Sequence, residues 1–184
     1  MAELDLLAAD IGATGRTLRR AATRGAIRVQ RPSPNKAEIT SDERRYIESH
    51  WPLLNALTRT LRTEKNVRLA VLFGSTARGD DRPDSDVDLL VDLEDYDRGL
   101  PLARLGLKLE HLLDRRVQVV ALRDATSSPV LLVDAIADGR ALIDRDRRWE
   151  RLLRRERLLR RQAREQEARA QADAWRALDE LAQT

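Results

Sequence analysis

Two aspartates one residue apart, Asp86 and Asp88, lead into the apolar run that ends at Val91, and a Gly74-Ser75 pair stands ten residues before them. If the second run is a strand, Asp86 and Asp88 project from one face, about one pleat repeat apart. Two such carboxylates repel each other and are costly to bury, whereas a divalent cation between them offsets both charges. Gly74 lets the backbone approach a ligand closely, and a helical turn after it aims free N–H groups at an anion. Ser75 adds a hydroxyl suited to a phosphate oxygen or a metal-bound water. Arg78, one turn on, can neutralise phosphate bidentately. These types and spacings suit a phosphorylated ligand and an oxygen-ligated metal. The plain alternative is a strand-loop-strand with solubilising acids.

The elements that must hold these residues are readable from periodicity. Val67–Phe73 is dense in apolar and β-branched residues, as a strand buried on both faces requires. Asp80-Asp81-Arg82-Pro83-Asp84 cannot continue a helix and makes a polar loop. After Asp97, the stripe Leu102, Leu105, Leu109 and Leu112 predicts a helix from about Gly99 to Leu113, followed by a strand over Val117–Leu122. Ser128-Pro129 opens a further helix to Gly139, and Arg140–Asp144 reads as a closing strand. The fold class expected is α/β (α+β): a small mixed sheet flanked by helices.

Gly74-Ser75, ten residues, then Asp86-x-Asp88 resembles the signature of the polymerase-beta-like nucleotidyltransferases. The wording GSTARGD and SDVDLLV, with Arg78, Gly79 and Ser85, is similar to the minimal nucleotidyltransferase group, which includes antitoxins paired with HEPN-type toxins. As a joint pattern between strands it is specific, while a lone Asp-x-Asp would mean little. The resemblance covers roughly Leu53 to Asp144. It implies that Gly74, Ser75, Arg78 and Ser85 bind the nucleotide and its phosphates, and that Asp86 and Asp88 are catalytic and hold magnesium or manganese. It further implies transfer of a nucleoside monophosphate, AMP from ATP, to a protein or RNA hydroxyl, with a HEPN-type toxin as partner. Where the family commonly has a third carboxylate, this chain has Gln118, which carries no charge and cannot serve as a base. Turnover with two carboxylates, nucleotide binding without turnover, and a purely structural domain all stay open.

The N-terminal third suggests a different activity. Helical spacing over Leu4–Ile11, a Gly-containing break, and a helix over about Arg16–Arg24 ended by Gly25 give a helix-turn-helix outline. Ile27–Arg31 and Ala37–Ile39 around Pro32-Ser33-Pro34-Asn35 would form a wing. From Ile11 to Ala37 there are seven Lys/Arg and no Asp or Glu, the charge pattern that contacts to DNA phosphates need. The candidate contacts are Arg16, Arg19, Arg20, Arg24, Arg28 and Arg31. A small helical cap with a solvated basic face is the alternative. Thr40 and Glu43 then form a capping box opening a helix, expected to bend or restart at Trp51-Pro52, with His50 a packing or surface residue.

From Asp146 onward there is no Pro or Gly, which predicts one long helix of 35 residues or more with an apolar edge at Trp149, Leu152, Leu153 and Leu159, continued by Ala170, Ala174, Leu178 and Leu181. Ten Arg against three acids between Arg145 and Arg164 make its first half basic. It packs back on its own domain or serves as an arm for a homodimer, a toxin or nucleic acid. The domain reading is 1–40 winged helix-turn-helix-like, 41–66 connecting helices, 67–144 nucleotidyltransferase, and 145–184 C-terminal helix. Composition narrows the rest. The 184 residues are 42% hydrophobic with 3% aromatic and a net charge of +3, so the core is aliphatic and electrostatics depend on where charges sit. The absence of cysteine excludes disulfides and thiolate metal sites, and two histidines disfavour an imidazole centre. No apolar run reaches the roughly 18 residues a membrane span needs, so the chain is expected to be soluble and cytoplasmic, with no membrane partner.

Overall fold

Leu4, Leu7 and Ala8 recur on one face of the first helix, α1 (Ala2–Asp10), and are buried by it; the computed structural model describes residues 2–33, 36–94 and 100–182. Helix α2 (Gly15–Arg24) starts at Thr14, whose Oγ1 accepts the Thr17 N–H at 3.2 Å, and ends at Gly25 in the left-handed region, φ 90°. It buries Leu18 and Ala21. A two-stranded antiparallel sheet follows, β1 (Gln30–Ser33) with β2 (Lys36–Glu38). The expected strand starts three residues late because Ile27 is a core residue, 1% exposed. The expected turn at Pro34-Asn35 lies outside the described residues.

Helix α3 (Ser41–Thr63) is capped as the sequence suggests, Thr40 Oγ1 accepting the Glu43 N–H at 3.2 Å. It runs without interruption through Pro52, which corrects the expected break. Proline removes one backbone bond, but Tyr46, Ile47, Trp51, Leu54, Leu57 and Leu61 are buried on one face on both sides of it. Burial of each large apolar side chain contributes about 1.5–3 kcal/mol, enough together to outweigh the roughly 3 kcal/mol of an interior proline.

The main sheet is built from β3 (Val67–Phe73), β4 (Val87–Leu93), β5 (Val117–Ala121) and β6 (Arg140–Asp144), in the order β5-β4-β3-β6. The pairs β3–β4 and β3–β6 are antiparallel, and β4–β5 is parallel. A parallel pair needs a crossover, and α5 (Leu100–Leu113) supplies it. Its buried stripe is narrower than expected: Leu105 and Leu109 are buried but Leu112 is 44% exposed, because only the side facing β5 and α3 is covered. A short helix, α6 (Leu122–Ala125), takes Leu122 out of the expected strand, and α7 (Pro129–Asp138) starts at its proline. One sheet face packs Ala70, Leu72, Val87 and Leu89 with α1–α3 and α5 in a single cluster; the other packs Leu69, Val71 and Leu90 with α7 and the C-terminal helices.

The C-terminal region is not one helix. Asp146 and Arg147 take positive φ, 72° and 53°, and α8 (Arg148–Arg154) is followed by α9 (Glu156–Ala182) across Arg155. Asp144 Oδ1 accepts the Arg148 N–H at 2.7 Å, fixing where α8 begins. Trp149 and Leu152 of α8 and Leu159 of α9 join one cluster with α7 and the sheet, and Ala163 further along α9 is also buried. Sequence propensity carries no signal for such a tertiary corner. Leu153, expected inward, is 38% exposed, and the side chains of Leu178 and Leu181 lie outside the described residues. No described helix is long and apolar enough to cross a membrane.

Candidate functional site

The turn that ends β3 becomes the short helix α4 (Gly74–Arg78), with Gly74 at φ 72°. A Cβ at Gly74 would lie 2.5 Å from Asp88 Oδ2, so the glycine is required both by backbone conformation and by the carboxylate packed on it. Its partners are fixed from behind. Tyr46 OH donates to Thr76 O at 3.1 Å, Arg140 Nε donates to Ala77 O at 2.7 Å, and the Thr76 hydroxyl donates to Asp86 O at 3.4 Å. The turn is thereby tied to α3, to β6 and to the start of β4.

Asp88 lies on β4 and Asp86 just before it, one residue short of the strand expected to carry both, and the two charges still interact beside this turn. Burial pushes the Asp88 carboxyl above its ordinary pKa, the neighbouring Asp86 charge adds to that, and Arg78 partly opposes it. Arg116 Nε stands 2.8 Å from Asp86 Oδ1 but out of line for a hydrogen bond, so that buried oxygen has no hydrogen-bond partner among the described residues. An oxygen with one arginine ion pair and no hydrogen bond, beside the desolvated Asp88 carboxyl, fits a hard divalent cation with oxygen ligands, magnesium or manganese. Across the parallel β4–β5 pair the register neighbour of Asp88 is Gln118, which is exposed. Among the described residues no group of three His, Cys, Asp or Glu could hold a metal ion, so two carboxylates are the charged set.

Two further expected ligands, Arg78 and Ser85, are already engaged, and Ser75 is half-buried on α4. Arg78 Nη1 pairs with Asp138 Oδ2 at 2.6 Å and its Nε with Asp80 Oδ2 at 3.2 Å. Ser85 Oγ accepts the Arg82 N–H at 2.9 Å, and Ser85 O accepts from Arg115 Nη2 at 2.7 Å, so Ser85 fastens the loop before β4. A polar cleft of about 360 Å³, lined by Arg28, Glu43, Tyr46, Arg78 and Arg140 among others, opens beside Arg78.

Sequence reasoning missed the residues that brace this loop. Asp81 accepts from Arg115 Nη2 at 3.0 Å and lies 2.8 Å from His50 Nε2. Burial raises its pKa, but the bonds and charges of His50 and Arg115 outweigh that and hold it below the usual value. His50 stacks on Tyr46 at 4.5 Å, and Arg140 lies 3.4 Å over the other part of the column, on the Tyr46 ring. Arg140 is buried at 1% and forms a bidentate pair with Glu43, 2.6 and 2.9 Å. Glu43 was legible only as a cap residue and His50 only as packing; the pairing depends on contacts 97 residues apart in the chain.

Of the candidate DNA contacts, Arg16, Arg19 and Arg20 are exposed on α2, and Arg19 pairs with Asp5 at 2.7 Å. Arg24 is partly buried, Arg28 Nη2 donates to Asp138 O at 2.7 Å, and the side chain of Arg31 lies outside the described residues.

Comparison with known proteins places this geometry. The "Polymerase beta, Nucleotidyltransferase" family profile matches residues 55–148. Over 74 residues, 40% of this chain and 75% of the relative, the sequence is 43% identical to the protein adenylyltransferase MntA of Thermococcus cleftensis. Among solved structures, 70% of the chain is similar to 97% of a chain in a toxin–antitoxin crystal structure with AMP-PNP, at 26% identity and a TM-score of 0.50. A chain from a mutant MntA–HpeT toxin–antitoxin complex shares the fold at 24% identity, TM-score 0.50, matching 70% of this chain and 97% of that one.

Proposed function

The chain belongs to the polymerase beta nucleotidyltransferase family, and from that premise we propose that it is an antitoxin-like enzyme transferring AMP from ATP to a hydroxyl of a partner protein, a HEPN-type toxin, or of RNA. The observation that carries the reading is the packing of the Gly74 backbone on Asp88 beside the unsatisfied Asp86 oxygen, which sets a phosphate turn against a two-carboxylate site. The adenylyltransferase relative and the AMP-PNP complex favour ATP as the donor. Asp86 and Asp88 would hold the cation, magnesium or manganese, which when bound neutralises charge on the reacting phosphate. The 74–76 turn and the Ser75 hydroxyl orient the triphosphate, and Arg78 exchanges Asp138 for a phosphate oxygen. The acceptor oxygen bonds to the α-phosphorus, the bond from that phosphorus to the bridging oxygen breaks, and pyrophosphate leaves. The acceptor proton passes to solvent, since Gln118 cannot take it.

The test is label transfer from α-labelled ATP, with magnesium, to a co-purified partner. Transfer is expected with the wild type and lost in Asp86→Asn plus Asp88→Asn; label appearing undiminished in that double variant would sink the assignment.

A second reading is favoured by Gln118 and by the acid-free arginines of α2: a DNA-binding regulator whose nucleotidyltransferase domain binds nucleotide or serves as scaffold. A salt-dependent shift of duplex DNA that needs those arginines, with no label transfer to any partner, would select it. The exposed stretch of α9 from Arg164 to Arg176, with Trp175 61% exposed, is the surface we assign to a protein partner, a toxin or a second copy.

A further inference from the structure

Arg16, Arg20 and Arg24 recur every fourth residue along α2 and form one row on its surface. Like charges at this spacing destabilise a helix by a few tenths of a kcal/mol per pair. Other arginines of α2 and α3 are paired with carboxylates: Arg19 with Asp5, Arg44 with Asp10 and Glu48, and Arg45 with Asp42. The row has none among the described residues. Arg24, at its inner end, is partly buried, with a buried Nε that has no hydrogen-bond partner among the described residues. Its guanidinium pKa is lowered, first by burial and then by Arg62 of α3 and by Arg20, so three cations share one neighbourhood. Arg62 itself is exposed near the C-terminal end of α3, and its backbone carbonyl accepts from Arg145 Nη2 at 3.2 Å.

We propose that the row Arg16, Arg20 and Arg24 of α2, together with Arg62 near the end of α3, forms a track for the phosphodiester backbone of a nucleic acid. The proposal rests on the DNA-binding reading of the N-terminal helices and narrows it: Arg19 and Arg28 are committed to Asp5 and to the Asp138 carbonyl, while Arg62, outside the helix-turn-helix outline, joins. From Arg16 to Arg24 the row rises roughly 12 Å at 1.5 Å per residue, longer than a single phosphate. A duplex, with one charge per about 1.7 Å of axis, meets several cations at once. The contacts carry no base recognition, so binding is sequence-independent and strongly salt-dependent.

The test uses the full chain and fluorescence anisotropy over a salt series with duplex DNA of arbitrary sequence, duplex RNA, inorganic phosphate at matched ionic strength, and polyaspartate. The wild type is expected to bind a duplex, and Arg20→Gln and Arg62→Gln each to weaken binding several-fold while reducing the log–log salt slope by about one contact. Arg45→Gln, an exposed change on α3 outside the row, is expected to leave both unchanged, and the row variants are expected to melt no lower than the wild type. Duplex binding with a slope unaltered in the row variants overturns the track while leaving DNA binding to β1 and β2. Absence of binding to either duplex overturns both readings. Displacement by inorganic phosphate beyond its ionic-strength effect marks a single-anion site and overturns the track, as does tighter binding of polyaspartate.

Discussion

Asp88 is packed directly on the backbone of Gly74: a methyl group at the glycine would stand 2.5 Å from Oδ2, in a backbone region, φ 72°, that L-residues rarely adopt. The Gly74 turn and the Asp88 carboxylate are therefore packed as one unit. In Gly74→Ala either the turn opens or Asp88 moves, and the left-handed conformation alone costs about 1–2 kcal/mol. The expected outcome is a drop of a few degrees in Tm and at least tenfold weaker magnesium-dependent binding of AMP-PNP by calorimetry. Retained binding at wild-type strength would show that the two features act separately.

The Arg140–Glu43 pair lies where β6 meets α3, and neither partner has water to turn to. Arg140→Met removes the paired cation and leaves the buried Glu43 carboxylate with the Arg28 N–H, 2.8 Å from Oε1, as a remaining bond, which is expected to cost about 3–5 kcal/mol in urea unfolding. The double variant Arg140→Met plus Glu43→Leu is expected to recover much of that loss, because no isolated charge remains. A single variant as stable as the double one would mean that Glu43 finds another cation.

Asp81 sets an acid limit on the loop that carries Ser85. Its folded pKa is below the unfolded value, so its contribution is full above the unfolded pKa of about 3.9 and is lost as pH falls through the folded value. The stability difference between wild type and Asp81→Asn is expected to be constant near neutral pH and to shrink once pH drops below about 4. A difference that stays flat into strong acid would show that His50 and Arg115 gain nothing from the charge.

Tyr46 gives an alkaline counterpart. Burial pushes its phenol up to about 12, above the ordinary 10.0, with the Glu43 and Asp81 charges adding to it and the Arg140 charge opposing it. A raised folded pKa means stability is full below pH 10 and falls as pH rises toward 12. Tyr96 is the other tyrosine of the chain, so a Tyr96→Phe variant isolates the Tyr46 tyrosinate absorbance. Its midpoint is expected about two units above that of free tyrosine while the protein stays folded.

The parts legible in sequence are those decided locally. The period of Val67–Phe73, the glycine at its end and the alternation around Asp86 and Asp88 each report backbone geometry within a few residues, and the sheet and the site follow from them. The continuity of α3 through Pro52 was not legible because its cause is a buried stripe pressed on both halves. The interruption at Arg155 was not legible because Ala, Arg and Glu satisfy helix propensity on both sides of it, while Trp149 before it and Leu159 after it share one cluster. Arg140 reads as the first residue of a strand; its burial follows from Glu43 arriving from another helix.

Gln118 supplies the most direct test of whether the site is limited by its missing acid. It stands in register beside Asp88 on the neighbouring parallel strand, exposed, where a carboxylate would face the same cation. Without a divalent ion, Gln118→Asp adds a third negative charge to a pair that already repels, so its Tm is expected to fall below that of the wild type. With magnesium the order should reverse, because three carboxylates bind a hard cation more tightly than two. If deprotonation of the acceptor limits transfer, a correctly placed base is worth about a hundredfold or more, and label transfer to the partner should accelerate accordingly. Tighter magnesium binding without faster transfer would place the limit elsewhere, in the approach of the acceptor hydroxyl. A variant unchanged in both would show that position 118 lies outside the reach of the metal.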